Sequence, residues 1–155
     1  MAENNTYTQL HIQIVFAVKF RDSQIKSEWR DELYKYITAI IQNKKHKLLA
    51  INGMPDHIHI LIGMRPTQSL SDLVKDIKSN SSRWINEKGF TSSRFECQDS
   101  FGAFSYSKSQ IDSVVKYINN QEKHHQKKSF KSEYIDFLKA FEIDFDEKFI
   151  FKELR

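Results

Sequence analysis

Two histidines that flank one isoleucine, His57 and His59, interrupt an otherwise apolar stretch, HIHILIG at 57–63. Successive side chains of a β-strand point to opposite faces, so a strand here places both imidazoles on one face and Ile58 on the other. Imidazole is the most common protein ligand for transition metals. The pair therefore indicates either a two-histidine metal site or polar residues that are partly buried on a half-solvated sheet.

A second set of reactive side chains follows on a predicted helix that begins near Ser107. Tyr117, Gln121 and His124 are spaced i, i+4 and i+7, so they share one stripe beside the apolar face of that helix. A phenol oxygen can act as a nucleophile, and an amide oxygen can complete the ligand shell of a metal ion. If the helix packs on the histidine face, these groups meet; otherwise Tyr117 is an ordinary tyrosine at the edge of the buried face of the helix.

The pattern of apolar residues predicts the elements that hold these side chains. Alternating apolar residues predict strands, and apolar residues three or four positions apart predict helices. The predicted elements are, in order, strand 9–20, helix 27–42, strand 46–52, strand 57–63, helix 69–85, strand 101–106, helix 107–124 and helix 130–141.

The order of these elements, β-α-β-β-α-β, predicts an α+β fold with the ferredoxin-like arrangement. Strands one and three then lie adjacent in the centre of the sheet, with the first two helices on one face. The tyrosine-bearing helix and a C-terminal helix follow. On this arrangement His57 and His59, together with His11 and Gln13, face away from the first two helices.

Length and composition predict one ordered domain over residues 1–155, with a helical, phenylalanine-rich extension at 129–155. The chain is 39% hydrophobic and 28% charged and has a single cysteine, Cys97, which fits a reducing compartment. It contains no apolar run near the roughly 20 residues of a membrane span. The N-terminus lacks the basic and apolar regions of a secretory signal. We therefore expect a cytoplasmic protein with no membrane partner.

The positive charge of the chain permits a nucleic-acid partner without requiring one. The net charge is +4 and the isoelectric point about 9.1. Basic residues cluster at 44–47 and 123–128 and recur along the second predicted helix. A solvated surface explains such clusters as well as phosphate binding does. The candidate DNA contacts are Lys44, Lys45, Lys75, Lys78 and Arg83.

The segments PDHIHILI and VVKYINNQ, about 60 residues apart, together resemble the HUH single-tyrosine transposases of the insertion-sequence 200/605 group. The segments HIQIVFAVKFR, SLSDLVKDIKSNSSRWI and FGAFSYSKSQIDSVVKYINNQ resemble the same family, so the likeness covers about residues 7–128. The resemblance implies that His57, His59 and Gln121 hold a divalent ion, Mg²⁺ or Mn²⁺. It also implies that Tyr117 is the nucleophile. His124 lies outside the general motif, and we expect it at most to assist the ion or the phosphate.

The resemblance further implies a reaction and its partners. The family cleaves and rejoins single-stranded DNA through a 5′-phosphotyrosine intermediate, at element ends that carry hairpins. No nucleotide is consumed, and the sequence has no phosphate-binding loop of the P-loop type. The resemblance implies a homodimer in which the subunits share the active site, in a bacterial or archaeal cytoplasm.

Four other functions are compatible with the same residues. One is a domesticated relative that acts on repeated palindromes. Another is an HUH enzyme of the rolling-circle initiator or relaxase type, although such proteins are usually longer. The third is a non-catalytic nucleic-acid-binding module on a ferredoxin-like sheet. The last is a small metal-binding protein without a DNA partner, for which any DNA binding should depend only weakly on salt.

Overall fold

Four antiparallel strands form one sheet in the order β2-β3-β1-β4. The structure is a computed structural model that describes residues 6–20 and 24–150. The strands are β1 (His11–Ala17), β2 (Lys47–Met54), β3 (His57–Gly63) and β4 (Gly102–Tyr106). The prediction that strands one and three are central is confirmed. The first strand is shorter than the predicted 9–20, and 151–155 of the predicted extension lie outside the described residues.

Two long helices cover one face of the sheet, as the sequence predicts. They are α1 (Arg30–Asn43) and α2 (Leu70–Lys88). The alternate isoleucines of β1 and β3 point beneath them, since the two strands pair in register with Ile14 opposite Ile60. The main apolar core lies here, and its fully buried members include Ile14, Ile60, Ile62, Leu33, Ile37, Ile41, Leu73 and Ile77.

Three helices cover the opposite face, so the histidines do not lie on the half-solvated sheet face that the sequence allowed. These are α3 (Ile111–Asn119), α4 (Gln121–His125) and α5 (Phe130–Ala140). Ile118 of α3 packs against Leu61 of β3, and Leu138 of α5 belongs to a cluster with Val15 of β1. The sheet is thus the middle of three layers, and side chains of β3 that point toward α3 and α5 are buried.

The helix predicted from Ser107 through His124 begins as predicted but does not run unbroken. Ser107 and Gln110 form the predicted capping box, and a 3₁₀ turn precedes α3. The helix is interrupted at Asn120, after which α4 starts. Asn52 of β2 donates its amide N–H to the carbonyl oxygens of Ile118 and Asn119, at 3.0 and 3.3 Å. This side chain competes for carbonyls at the end of α3, which accounts for the interruption.

The turn between β2 and β3 brings two backbones into unusually close approach. Gly53 lies opposite Ile58, and a Cβ atom added to it would stand 2.2 Å from the carbonyl oxygen of His57. Only glycine fits at this position, so the hairpin that places His57 depends on it.

Among the described residues, no helix combines the length and the apolar character that crossing a bilayer requires.

Candidate active site

His57 begins β3 and is completely buried beneath α4 and α5. Its Nδ1 lies 2.6 Å from Oδ1 of Asp56. Although burial raises the pKa of Asp56, this hydrogen bond holds it below its ordinary value, so the carboxylate is the acceptor and Nδ1 carries the hydrogen. In the neutral ring, the other nitrogen, Nε2, therefore presents a lone pair, and it lies 2.9 Å from Oε1 of Gln121.

His59 is equally buried and has its ring fixed in the same way. Its Nδ1 lies 2.7 Å from Oε1 of Gln13, whose amide nitrogen donates to the Tyr106 hydroxyl at 2.7 Å. Nδ1 is therefore the donor, and Nε2 faces Oε1 of Glu133 at 3.2 Å. Burial lowers the pKa of His59 to about 4, so the imidazole is neutral at neutral pH. The prediction that Gln13 shares the face of the two histidines is confirmed.

Gln121, the first residue of α4, is also completely buried. Its amide nitrogen donates to Oε2 of Glu133 at 3.0 Å, which turns its Oε1 toward His57. A buried oxygen and a buried nitrogen lone pair thus face each other at 2.9 Å with no hydrogen assigned between them. Such a set of acceptors is stable only around a proton or a cation, and it suits a divalent metal ion.

Tyr117 on α3 lies beside this cluster. Its ring centroid is 6.2 Å from that of His59, and its hydroxyl donates to Oε2 of Glu133. Burial raises the pKa of Tyr117, and the hydrogen bond to the Glu133 carboxylate and its charge raise it further. The hydroxyl is therefore protonated in this arrangement. All four residues of the predicted site, His57, His59, Tyr117 and Gln121, meet within one chain.

The sequence did not identify Glu133 and His125 as members of the site. Glu133 lies on the buried side of α5 with 3% of its surface exposed. Burial raises its pKa, but the interactions with the ring nitrogens of His125 and His59 outweigh burial and hold the pKa of Glu133 well below the ordinary value. The signal in the sequence is a carboxylate within an apolar stripe: Glu133 stands i+3 from Phe130 and i−4 from Phe137.

His124 and His125 occupy different places. The ring of His124 stacks on Tyr117 with centroids 4.4 Å apart, and its Nε2 is buried without a partner among the described residues. His125 turns inward, so that its Nε2 lies 3.1 Å from Oε1 of both Gln121 and Glu133. The structure therefore places His125 among the candidate ligands, where the sequence had suggested His124.

A cleft of about 670 Å³ opens beside Tyr117, between α4 and α5. The basic run at 123–128 supplies part of its lining through Lys123, Lys127 and Lys128. Lys128 is paired with Asp136 of α5, on the same cleft. The cleft gives a solvated, mainly basic approach to the phenol.

The other candidate DNA contacts lie on the far side of the sheet. Lys75, Lys78 and Arg83 line a second cleft, of about 890 Å³, along α2. The Lys78 ammonium group donates to the carbonyl oxygens of Asp99 and Ser100, both at 3.1 Å, so it has a structural role there.

The two remaining candidates, Lys44 and Lys45, follow α1. Lys44 forms an ion pair with Asp76 at 2.9 Å. Lys45 is exposed and has a positive φ of 70°. None of the five candidate DNA contacts adjoins Tyr117.

Comparison with known proteins identifies the family. The sequence model of the family described as "Transposase IS200 like" matches residues 6–121. The ISDra2 transposase TnpA of Deinococcus radiodurans is 31% identical over 75 residues, which are 48% of this chain and 54% of that protein. The match therefore spans about half the length of this curated relative.

Two solved structures share the fold. One is a candidate transposase from Deinococcus radiodurans R1, with a TM-score of 0.61 and 23% identity over 78% of this chain and 97% of that chain. The other is a REP-associated tyrosine transposase bound to a REP hairpin, with a TM-score of 0.59 and 17% identity over 81% of this chain and 74% of that chain. Because the family match covers three quarters of the sequence and includes both histidines, Tyr117 and Gln121, the chain belongs to the IS200-like transposase family.

Proposed function

We propose that this chain is a transposase that cleaves and rejoins single-stranded DNA through a covalent bond to Tyr117. The observation that carries the proposal is the juxtaposition of a phenol with a buried cluster of ligand atoms from His57, His59 and Gln121. A phosphoryl-transfer enzyme needs both a nucleophile and a means of stabilising charge on the phosphate.

We propose that His57, His59 and Gln121 hold a divalent ion, Mg²⁺ or Mn²⁺. Their donor set fits such an ion because the Nδ1 atoms of both histidines are engaged by Asp56 and Gln13, which directs both Nε2 lone pairs into the site. When bound, the ion would polarise a phosphate oxygen and offset the charge that develops on it.

Cleavage by Tyr117 conserves the bond energy of the DNA backbone, because the phosphodiester is exchanged for a phosphotyrosine bond. Its phenol oxygen bonds to the phosphorus of the scissile phosphodiester, the bond from phosphorus to the 3′ oxygen breaks, and a free 3′-hydroxyl leaves. A second 3′-hydroxyl then attacks the phosphotyrosine and releases Tyr117. Glu133 holds the phenol by a hydrogen bond and so fixes the direction of its oxygen toward the cleft.

The cleft between α4 and α5 suits the strand that is cut. Lys123 and Lys127 lie on it beside Tyr117, where their charges can contact backbone phosphates. The similar fold of a protein bound to a REP hairpin supports the proposal that a DNA hairpin is the recognised element. We assign the hairpin to the basic surface of α2, with Lys75 and Arg83. A homodimer remains a prediction, and the single chain already contains every proposed catalytic group.

Labelled DNA tests this proposal. A single strand that carries the palindrome flanking the gene is labelled at its 3′ end and incubated with the protein and Mg²⁺ or Mn²⁺. The label should remain with the protein on a denaturing gel, while a 5′ label should leave with the released fragment. Tyr117→Phe and His59→Ala should abolish the adduct. An adduct of equal yield from Tyr117→Phe would show that another residue is the nucleophile, whereas DNA binding without any adduct would support a nucleic-acid-binding module without this chemistry.

A further inference from the structure

The part of the chain beyond the family match brings two more ligand atoms to the metal site. The match ends at residue 121, and His125 and Glu133 follow it. Nδ1 of His125 donates to the carbonyl oxygen of Lys128 at 2.7 Å, because a carbonyl oxygen only accepts. When the ring is neutral, Nε2 of His125 therefore carries the lone pair, and it points at Oε1 of Gln121 and of Glu133, both at 3.1 Å.

The three imidazoles thus have the same orientation: Nδ1 is engaged by a neighbouring oxygen, and Nε2 is directed into the site. Each directs its Nε2 at one carboxylate oxygen, Oε1 of Glu133, at 3.5 Å for His57, 3.2 Å for His59 and 3.1 Å for His125. With neutral imidazoles, three Nε2 lone pairs face Oε1 of Glu133, and no hydrogen lies between these nitrogens and that oxygen. Metal-binding histidines typically have this arrangement, with the second ring nitrogen held by a carboxylate, an amide or a backbone carbonyl.

The spacing of these atoms fits a common ion. Around an ion with ligand bonds of about 2.1 Å, adjacent ligand atoms stand about 3.0 Å apart in an octahedron and about 3.4 Å apart in a tetrahedron. Oε1 of Gln121 lies 2.9 and 3.1 Å from Nε2 of His57 and His125, and Oε1 of Glu133 lies 3.1 to 3.5 Å from Nε2 of all three histidines. The ligand atoms of His57, His125 and Glu133 also lie within 4.8 Å of one another.

We propose that His125 and Glu133 bind the same divalent ion as His57, His59 and Gln121, so that the site has three nitrogen and two oxygen ligands. This inference rests on the proposed function, which needs only the last three residues. Three imidazoles favour a transition-metal ion such as Mn²⁺ over Mg²⁺, which prefers oxygen ligands and retains its water.

The second carboxylate oxygen of Glu133, Oε2, connects this proposed ligand to the nucleophile. Oε2 accepts hydrogen bonds from the hydroxyl of Tyr117 and from the amide nitrogen of Gln121. One carboxylate then joins the ion to the nucleophile, so that metal binding fixes the position of the phenol. Removal of Glu133 should therefore loosen the ion and the tyrosine ring together.

Metal titration tests the proposal. Free Mn²⁺ is measured by electron paramagnetic resonance while it is titrated into the full chain without DNA, for the wild type and five variants, one of which is His57→Ala. Each of His125→Asn and Glu133→Gln should raise the Kd for Mn²⁺ by about tenfold or more, since even groups behind the ligands contribute about that much. The controls are His124→Asn and Glu122→Gln, which alter a neighbouring ring and an exposed carboxylate on the same short helix. Both should bind as the wild type does.

The outcomes separate this inference from the proposed function. If His57→Ala abolishes Mn²⁺ binding while His125→Asn and Glu133→Gln bind normally, the five-ligand site is wrong and the proposed three-ligand site stands. Tighter binding by Glu133→Gln would likewise overturn it, because the carboxylate would then obstruct the ion. A wild type that binds no Mn²⁺ would overturn both. If Glu133→Gln fails to fold, Glu133→Asp replaces it, since its shorter side chain keeps the charge but withdraws the ligand.

Discussion

The hydroxyl of Tyr117 donates a hydrogen bond to Glu133, a residue 16 positions further along the chain on a different helix. This bond ties α3, which carries the proposed nucleophile, to α5, which lies beyond the family match. The same carboxylate contacts His59 and His125 through its other oxygen. Helix α5 therefore contributes to the proposed active site as well as covering the sheet.

The hairpin that presents His57 should not tolerate a side chain at Gly53. A Cβ there would stand 2.2 Å from the His57 carbonyl oxygen and 2.9 Å from the Cα of Ile58, which are backbone atoms that cannot turn aside. Gly53→Ala should lower the free energy of unfolding by about 2–3 kcal/mol. Gly63→Ala, where the nearest atom is 3.5 Å away, should change it by less than about 0.5 kcal/mol. Equal stability of the two variants in urea titrations would contradict this account.

Asn52 should position the nucleophile without touching it. Asn52→Ala removes both hydrogen bonds to the end of α3, one and two residues beyond Tyr117, and should cost about 1 kcal/mol of stability. The rate of adduct formation should fall, while Mn²⁺ affinity changes less. Asn43→Ala, at an exposed position at the end of α1, serves as control. An unchanged rate for Asn52→Ala would show that the end of α3 is held by other contacts.

The elements could be predicted from the sequence because each carries its own local pattern. Alternation in β3 placed His57 and His59 on one face, and the Ser107 capping box marked the start of the tyrosine helix. The interruption at Asn120 could not be predicted, since it depends on Asn52 from a distant strand. Glu133 was missed because helical spacing assigns a stripe residue to the core, and only the fold reveals that imidazoles surround it.

The stability of the metal-free protein should rise between pH 4.5 and 6.5. The pKa of His59 is lowered by burial from 6.5 to about 4, so in this window the unfolded chain binds a proton that the native state does not. Glu133, with its lowered pKa, is ionised in both states above its ordinary 4.5. His125 has a raised pKa despite burial, because it bonds to Glu133, and is protonated in both states below 6.5.

Urea unfolding at a series of pH values measures this dependence. The slope attributable to His59 should approach about 1.4 kcal/mol per pH unit. Above pH 6.5 the stabilising charge of His125 should be lost as the pH passes its raised pKa, so the rise should end or reverse. Stability that falls steadily from pH 4.5 to 6.5 would show that His59 is charged in the native state.

The basic surface of α2 should contribute to DNA binding through Lys75 more than through Lys78. Lys75 is exposed on the α2 cleft, whereas the Lys78 ammonium group already binds two backbone carbonyls. Lys75→Ala should weaken binding of a labelled DNA hairpin and reduce the slope of log affinity against log salt by about one. Lys35→Ala, at an exposed position on α1, should leave the slope unchanged. If fluorescence anisotropy gave the same salt slope for both variants, α2 would not be part of the surface that binds DNA.

The central claim is that Tyr117 becomes bonded to DNA. Mass spectrometry of the protein after reaction with its single-stranded substrate and digestion by nuclease and protease measures this directly. The account predicts a peptide that contains Tyr117 and carries a nucleotide through a phosphate, absent from Tyr117→Phe and from reactions with a metal chelator. A nucleotide on another residue, such as Tyr106, or no modified peptide where DNA has been cut, would contradict it.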